Sequence, residues 1–465
     1  MQQSRGRGRE APRGKGKHQY KPKTCVDVSK TTFEIHFQYF IPSIDISQYL
    51  TPSTAYEVPE FIDLKTKLNA AKSKLDPYYE ESQVNPKSNW RYFDTLIDLY
   101  KPMRKEIETK YNARHVTNAW MKYWEILNHF NLIQGATLID SNNKFKAFFN
   151  AELPGAAIEA LNHYMKTKNI PFDWRASSLL SDSALEDIYG LYEYNREKWL
   201  MDEYSDGDST DWNNILDFAC QVGPDSIWGQ QSIQSSHSVS NSSNGDVNSK
   251  FGQQSIKSTS GVSTSSNGGV DLYSHDAGMD VQDFNRQESI NAKLHLGCAL
   301  AGFLTLKVGG SFIAKQYTYF ETMTWNLILI YASMFDKFYI SKPLTSRPYN
   351  SEIYLIGKGF RGISKKVKEV LSDRLQNFDN LIETPLLSEE VINTPAFNAL
   401  KTAMIQLIDL QITALNENIE LYEKYKTHLK DLNCGLEKQR KRLIQEWLKE
   451  YPISPIKTED QLKSK

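Results

Sequence analysis

The stretch from residue 271 to 362 limits what this chain can become more than any other part. It contains an apolar run, LHLGCALAGFLTLKVGGSFIA (294–314), that imitates a membrane span until Lys307 and the Gly309-Gly310 pair interrupt it. A bilayer needs about 20 predominantly apolar residues in one helix. The run reads better as a buried helix, a tight turn at the two glycines, and a buried strand, SFIAKQYTY (311–319). No membrane segment is expected. The same alternation continues on both sides. DLYSH (271–275) is a strand, 287–306 a helix, 322–335 a helix, 337–343 a strand, SRPYNSE (346–352) a loop and IYLIGKGF (353–360) a last strand. Strands alternating with helices in this way specify an α/β sheet with helices packed on its faces. Such sheets bind ligands beyond the carboxyl ends of their strands. Asp276 at a strand exit, Lys315 at a strand's far end and Glu352 just before the last strand all fall there.

Upstream, HVTNAWMKYWEILNHFNLI (115–133) has helical spacing, with Thr117 or Asn118 as its cap. Trp120, Trp124, Leu127 and Phe130 make its apolar face, and Lys122 lies half a turn away. A lone helical lysine is ordinarily solvated surface. FKAFFNAELPGAAIEALNHYM (145–165) reads as strand, short turn, helix. The apolar run ends at Glu152, and Pro154, Gly155 and Ala156 form the turn. Small residues at a strand-to-helix turn admit a ligand to the backbone, and the helix start offers free N–H groups. Residues 171–179 read as the next strand. In DEYSDGDSTDWNNI (202–215), Asp206 and Asp208 sit with hydroxyls on a tight loop, suited to a ribose or an adenine edge, or simply to a solvated turn. The loop lacks the further acids and closing glutamate of a calcium site.

These readings set the organisation. Residues 1–24 carry eight Lys/Arg and one acid, a basic tail that suits RNA or serves solubility. Residues 25–112 form an accessory region with one strand (32–41) and helices near 60–75 and 90–111. Residues 113–363 hold the α/β domain, interrupted at 228–270 by a flexible Ser/Asn/Gly/Gln-rich insertion in which GQQSI recurs at 229 and 252. Residues 364–452 are helical, with Gly435 a candidate hairpin break, and 453–465 look like a loose tail. The C-terminal helices read as a packed appendage with a solvated face, a protein-partner site being the second reading. Four widely spaced cysteines and nine histidines give no zinc spacing, so no metal is expected and a reducing compartment is favoured.

GGSFIAKQY followed by SKPLTSRPYNSEIYLIGKGFRG closely resembles the FtsJ-like ribose 2′-O-methyltransferases. The nearest branch is the one acting on the first nucleotides beyond the messenger RNA cap. The ELPGA form resembles versions from large cytoplasmic DNA viruses, although the family turn is usually richer in glycine. The resemblance implies an α/β fold: a Rossmann-like methyltransferase sheet flanked by helices, with an N-terminal accessory region and a C-terminal helical appendage. It implies a K-D-K-E tetrad at Lys122, Asp276, Lys315 and Glu352, and S-adenosylmethionine as cofactor. Glu152, Pro154, Gly155, Ala156, Asp206, Asp208 and Asp276 are the expected cofactor residues. Capped RNA is the expected partner, with Arg347 and Lys342 at its phosphates. The expected place of work is the cytoplasm, or the virion if the chain is viral, the nucleus staying open. Ribosomal or transfer RNA as substrate, and a non-catalytic RNA-binding subunit, are the competing readings.

The residue types suit the chemistry. A ribose hydroxyl is a poor nucleophile at neutral pH, and a neutral amine beside it can accept its proton. Burial and a neighbouring lysine lower a lysine pKa, whereas carboxylates raise it. Lys315 is the expected base, with Lys122, Asp276 and Glu352 orienting and tuning it.

Overall fold

In the computed structural model the described residues are 28, 37–50, 54–85, 87–133, 144–180, 187–201, 205–230 and 268–465. The basic tail, residues 32–36 of the first expected strand and most of the duplicated insertion (231–267) lie outside them. The strands are β1 Phe37–Ile41, β2 Phe145–Asn150, β3 Phe172–Ala176, β4 Val270–His275, β5 Leu306–Gln316, β6 Phe335–Lys342 and β7 Ile353–Phe360. The helices begin with α1 Pro59–Ser73, α2 Asp76–Val84, α3 Asn89–Ile97, α4 Met103–Tyr111, α5 Asn118–His129 and α6 Ala156–Thr167. They continue with α7 Leu191–Tyr194, α8 Trp212–Val222, α9 Ile227–Gln230, α10 Gln287–Thr305 and α11 Thr322–Ser333. The last four are α12 Lys365–Gln376, α13 Phe378–Leu381, α14 Pro395–Tyr425 and α15 Leu429–Glu450.

One sheet carries all these strands in the order β1-β6-β7-β5-β4-β2-β3. β3, β2, β4 and β5 are parallel, while β7 runs antiparallel between β5 and β6. Because β7 runs the other way, its start lies at the same edge as the ends of β4 and β5. Lys315 pairs with Tyr354 and Gln316 with Ile353 across that edge. After β2 the chain passes to β3 on one side and later to β4 on the other, which makes the β2 end the switch point where such sheets open a crevice.

Local chemistry sets the helix ends. Thr117 caps α5 by accepting a bond from the Trp120 N–H, and Asp211 caps α8 through the Asn213 N–H. Trp120 and Trp124 stack at 5.2 Å between ring centres, but residues 120–127 are buried on every side of the helix. α5 is thus enclosed, and its Lys122 is an interior residue rather than a solvated one.

Three expectations need correction. Gly309 and Gly310 lie inside β5, which starts at Leu306 directly after α10; Gly309 adopts φ +83° there, and the pairing with β4 shifts register between Val270 and Leu272. The C-terminal hairpin turns at 426–428, not at Gly435, which is buried within α15. Residues 453–465 are not loose. The carbonyls of Ser454 and Asp460 receive His163 and Asn162 of α6, and the Lys463 carbonyl receives Asn195. Cys298 is a buried thiol and Cys220 an exposed one, while Cys434 is disulfide-bonded, which its spacing did not suggest.

A single hydrophobic core runs through the accessory helices, the sheet and the C-terminal helices. Phe61 of α1, Trp325 of α11 and Phe397 of α14 meet at 5.0–6.3 Å between ring centres. A fully buried side chain of this size contributes about 1.5–3 kcal/mol, so the accessory region and the C-terminal helices are bound to the sheet by the same packing. Among the described residues no helix is long and apolar enough to cross a membrane.

Candidate active site

Two ion pairs lie at the carboxyl edge of the sheet, Lys122–Glu352 nearly enclosed and Lys315–Asp276 partly open to solvent at Asp276. Lys122 Nζ donates to Glu352 Oε1 at 2.7 Å, and Lys315 Nζ stands 3.4 Å from Asp276 Oδ1. Four residues 37 or more positions apart in sequence are thereby brought together. Tyr354 links the pairs: its hydroxyl donates to Asp276 Oδ1 at 3.2 Å, and the Lys122 ammonium lies 5.7 Å from its ring centre. Gly278 makes room for this arrangement. A Cβ there would sit 3.1 Å from Lys315 Nζ and 2.5 Å from the Tyr317 hydroxyl.

The charges are settled by these contacts. Burial raises the Glu352 carboxyl, but the ammonium groups of Lys122, Lys315 and Lys342 outweigh it and hold the group at about 2. Burial lowers Lys315, but Asp276, Tyr317 and Glu352 more than restore it, so its pKa lies above the ordinary lysine value. The sequence left open which effect wins; the carboxylates do. Lys315 is an ammonium in the free protein.

The loop between β6 and β7 is held from inside. Lys342, expected at RNA phosphates, is turned inward and buried. Its Nζ donates to Asn350 Oδ1 (2.7 Å), the Glu352 carbonyl (2.8 Å) and the Asn350 carbonyl (3.0 Å). Asn350 Oδ1 also accepts the Glu352 N–H, and the Ser346 hydroxyl donates to Glu352 Oε1 at 3.1 Å. Lys342 is therefore spent on positioning Glu352 and is out of reach of a phosphate. Glu125, one turn beyond Lys122, takes the other end of the loop. Its carboxylate accepts from the N–H groups of Leu344 and Thr345, the Thr345 hydroxyl and the Trp447 indole. Arg347 stays half-exposed, paired with Asp94 and Asp98 at 3.6 and 3.5 Å.

At the β2 end, Gly155 adopts φ +106° and starts α6, and Glu152 Oε1 caps that helix by accepting the Ala157 N–H at 2.7 Å. Glu152 Oε2 and Ser177 Oγ are buried without a hydrogen-bond partner among the described residues. Buried polar atoms are nearly always satisfied, and these two are exceptions at the end of β2. The Asp206–Thr210 loop closes on the same place. Leu180 N–H donates to the Asp206 carbonyl, and Ser209 Oγ donates to Asn150 Oδ1 at the end of β2. Asp206 Oδ1 accepts from the Asp208 N–H and from Asn214, and Asp208 accepts twice from Thr210. Part of each carboxylate therefore shapes the loop. Pro154 and Ala156 flank Gly155 in the turn. Among the described residues no group of three or more His, Cys, Asp or Glu is placed to hold a metal ion.

Sequence reasoning missed Tyr354, Asn350, Ser346 and Glu125. Tyr354 and Glu352 are two apart at a strand start, so they share a side, and that spacing was the available signal. Glu125 had none, because its partners lie more than 200 residues away.

A family model described as FtsJ-like methyltransferase matches residues 213–360. A protein of African swine fever virus described as a probable methyltransferase is 34% identical over 421 residues, 86% of this chain and 84% of that protein. A cap-specific mRNA (nucleoside-2′-O-)-methyltransferase 2 from Pongo abelii is 26% identical over 418 residues, covering 87% of this chain and 48% of that protein. An uncharacterized mimivirus protein is 28% identical over 74% of this chain and 39% of its own length. Such similarity over most of the viral relative, together with the family match, carries the resemblance in GGSFIAKQY and SRPYNSE through to membership: this chain belongs to the FtsJ-like methyltransferases.

Proposed function

We propose that the chain transfers a methyl group from S-adenosylmethionine to a ribose 2′-hydroxyl near the 5′ cap of messenger RNA. The observation that carries this reading is the pair of ion pairs Lys122–Glu352 and Lys315–Asp276, set at one sheet edge with Tyr354 between them. The name of the cap-specific relative supports the substrate.

S-adenosylmethionine, the donor of this family, supplies an electrophilic sulfonium methyl. Gly155 and the first N–H groups of α6, the unpartnered Glu152 Oε2 and Ser177 Oγ, and the Asp206–Asp208 loop are the groups that would hold it. The chain's own residues then handle the hydroxyl. Lys122, fixed by Glu352 at 2.7 Å, holds the ribose oxygen in line. Lys315 is bound to Asp276 at a longer 3.4 Å, a contact that a hydroxyl can replace. Once it does, less negative charge supports the ammonium. Its pKa falls toward the range in which the neutral amine takes the hydroxyl proton. Alignment of the reacting atoms supplies much of the rest.

The test is to incubate the protein with labelled S-adenosylmethionine and capped, uncapped or structured RNA, then map the labelled atom. Label on a ribose 2′-oxygen next to the cap is the expected result. Label on structured RNA alone moves the substrate to ribosomal or transfer RNA, and no label on any RNA removes the activity.

A further inference from the structure

A cavity of about 420 Å³ opens beside the tetrad, sharing Glu352 with it and lined also by Tyr317, two residues beyond Lys315. That volume lies within the ~300–1,000 Å³ range of small-ligand sites. Its far wall is not part of the α/β domain: Lys72 and Tyr79 come from the accessory helices α1 and α2. Those residues lie outside the 213–360 segment matched by the family model. Phe284, from the loop after β4, and Arg347 line it as well.

The lining combines aromatic rings and the cations Lys72 and Arg347 with the carboxylates of Asp76, Asp283 and Glu352. Phe284 is 56% exposed and Tyr79 36%, two large aromatic surfaces left in water on a wall where packing could have covered them. The Tyr79 ring is braced edge-on by Trp90 at 6.1 Å. Lys72 Nζ donates to the Phe284 carbonyl at 3.2 Å and, among the described residues, has no ion pair. Aromatic faces that stack on bases, combined with cations that track the backbone, are how proteins hold single-stranded nucleic acid.

We propose that this cavity seats the nucleobase adjoining the target ribose. The base stacks on Phe284 and Tyr79, and Lys72 pairs with the connecting phosphate. The accessory region thereby becomes the part of the chain that selects substrate. This rests on the methyl-transfer reading, because only an RNA whose ribose lies at Lys122 and Lys315 must place its neighbour here. The same flat base and phosphate could belong to the cap or to the transcript.

The experiment measures affinity of the full-length protein for a short fluorescent RNA, N7-methylguanosine-capped or 5′-triphosphorylated, by anisotropy at fixed salt. Phe284→Ala, whose ring is half in solvent, should weaken binding roughly tenfold, the effect of losing one base–aromatic stack. It should raise KM for RNA with kcat within about twofold of wild type, as loss of uniform binding does. Tyr79→Ala should act in the same direction. Lys72→Met should reduce the salt slope of binding by about one phosphate contact. Unchanged S-adenosylmethionine binding serves as the folding control. Weakening confined to capped RNA assigns the site to the cap base; equal weakening assigns it to a transcript base. Wild-type affinity of Phe284→Ala and Lys72→Met for both RNAs overturns the proposal. A protein that methylates RNA but ignores these changes keeps its activity and loses the cavity. One that binds RNA through the cavity but transfers no methyl group does the reverse.

Discussion

Replacing Lys342 by Met tests the inner support of Glu352. The substitution has two opposed effects. It removes the donor to three acceptors, the Asn350 and Glu352 carbonyls and Asn350 Oδ1, and stranding buried acceptors costs about 1–3 kcal/mol. It also removes a buried cation. Burial lowers the Lys342 ammonium, the Glu352 carboxylate opposes that, Lys122 adds to it, and the result is a pKa of about 7 against 10.5 for a free lysine. Between these values the unfolded chain binds a proton that the folded chain does not. Folding stability must therefore rise with pH across that window, by up to about 1.4 kcal/mol per pH unit. Methionine binds no proton and loses the slope. Near pH 7 the two effects oppose each other and the net change is small; by pH 9 the variant should fall behind by about 2–3 kcal/mol more. Urea unfolding of both proteins at pH 7, 8 and 9 measures this. In methyl transfer, kcat should fall because the loop that aims Glu352 is loosened. Parallel stability–pH lines for the two proteins would refute the reasoning and return Lys342 to solvent.

Two further substitutions probe the charges. Asp276→Asn removes the strongest opponent of burial at Lys315, so the Lys315 pKa drops. If Lys315 must be neutral to act, the alkaline rise of kcat/KM should move to lower pH while the maximum rate falls. An unmoved rise in the pH–rate profile contradicts this. Glu125→Gln leaves an amide facing donors from Leu344, Thr345 and Trp447 and should cost about 1–3 kcal/mol. Burial pushes the Glu125 carboxyl up to about 7, its four donors pulling the other way. Its stabilising contribution is then complete below the unfolded value of 4.5 and is lost as pH rises through 7. The deficit of the glutamine variant should narrow between pH 5 and 7, as denaturation at the two pH values would show.

The parts of this protein that were legible in advance are those governed by local pattern. β7 spans the expected residues 353–360, and α10 and α11 fall within two residues of expectation, because apolar period and capping are short-range signals. Asp276, Lys315 and Glu352 could be placed because strand exits in an α/β sheet converge on one edge. Lys122 could be placed only by resemblance, since an enclosed helix looks like any other amphipathic one. What stayed hidden depends on distant partners. Lys342 reads as a surface cation until Asn350 folds over it, and Glu125 reads as a helix-surface acid until Trp447 arrives from the last helix. The 453–465 segment has no apolar period; its main-chain carbonyls dock it on α6. Gly309 looked like a turn because a strand rarely carries paired glycines, whereas β5 uses them beside a register shift.

The measurement that bears most directly on the account is methyl transfer by Lys315→Ala, read beside its affinity for S-adenosylmethionine. The groups proposed to hold the donor include Glu152, Gly155 and the Asp206–Asp208 loop, which make no bond to Lys315 among the described residues, and Asp276, which does and which the substitution leaves in place. The account predicts wild-type donor binding by calorimetry and no detectable label on the ribose 2′-oxygen. Turnover retained at the wild-type rate with the donor bound would show that the two ion pairs hold the sheet edge together and do not carry the reaction.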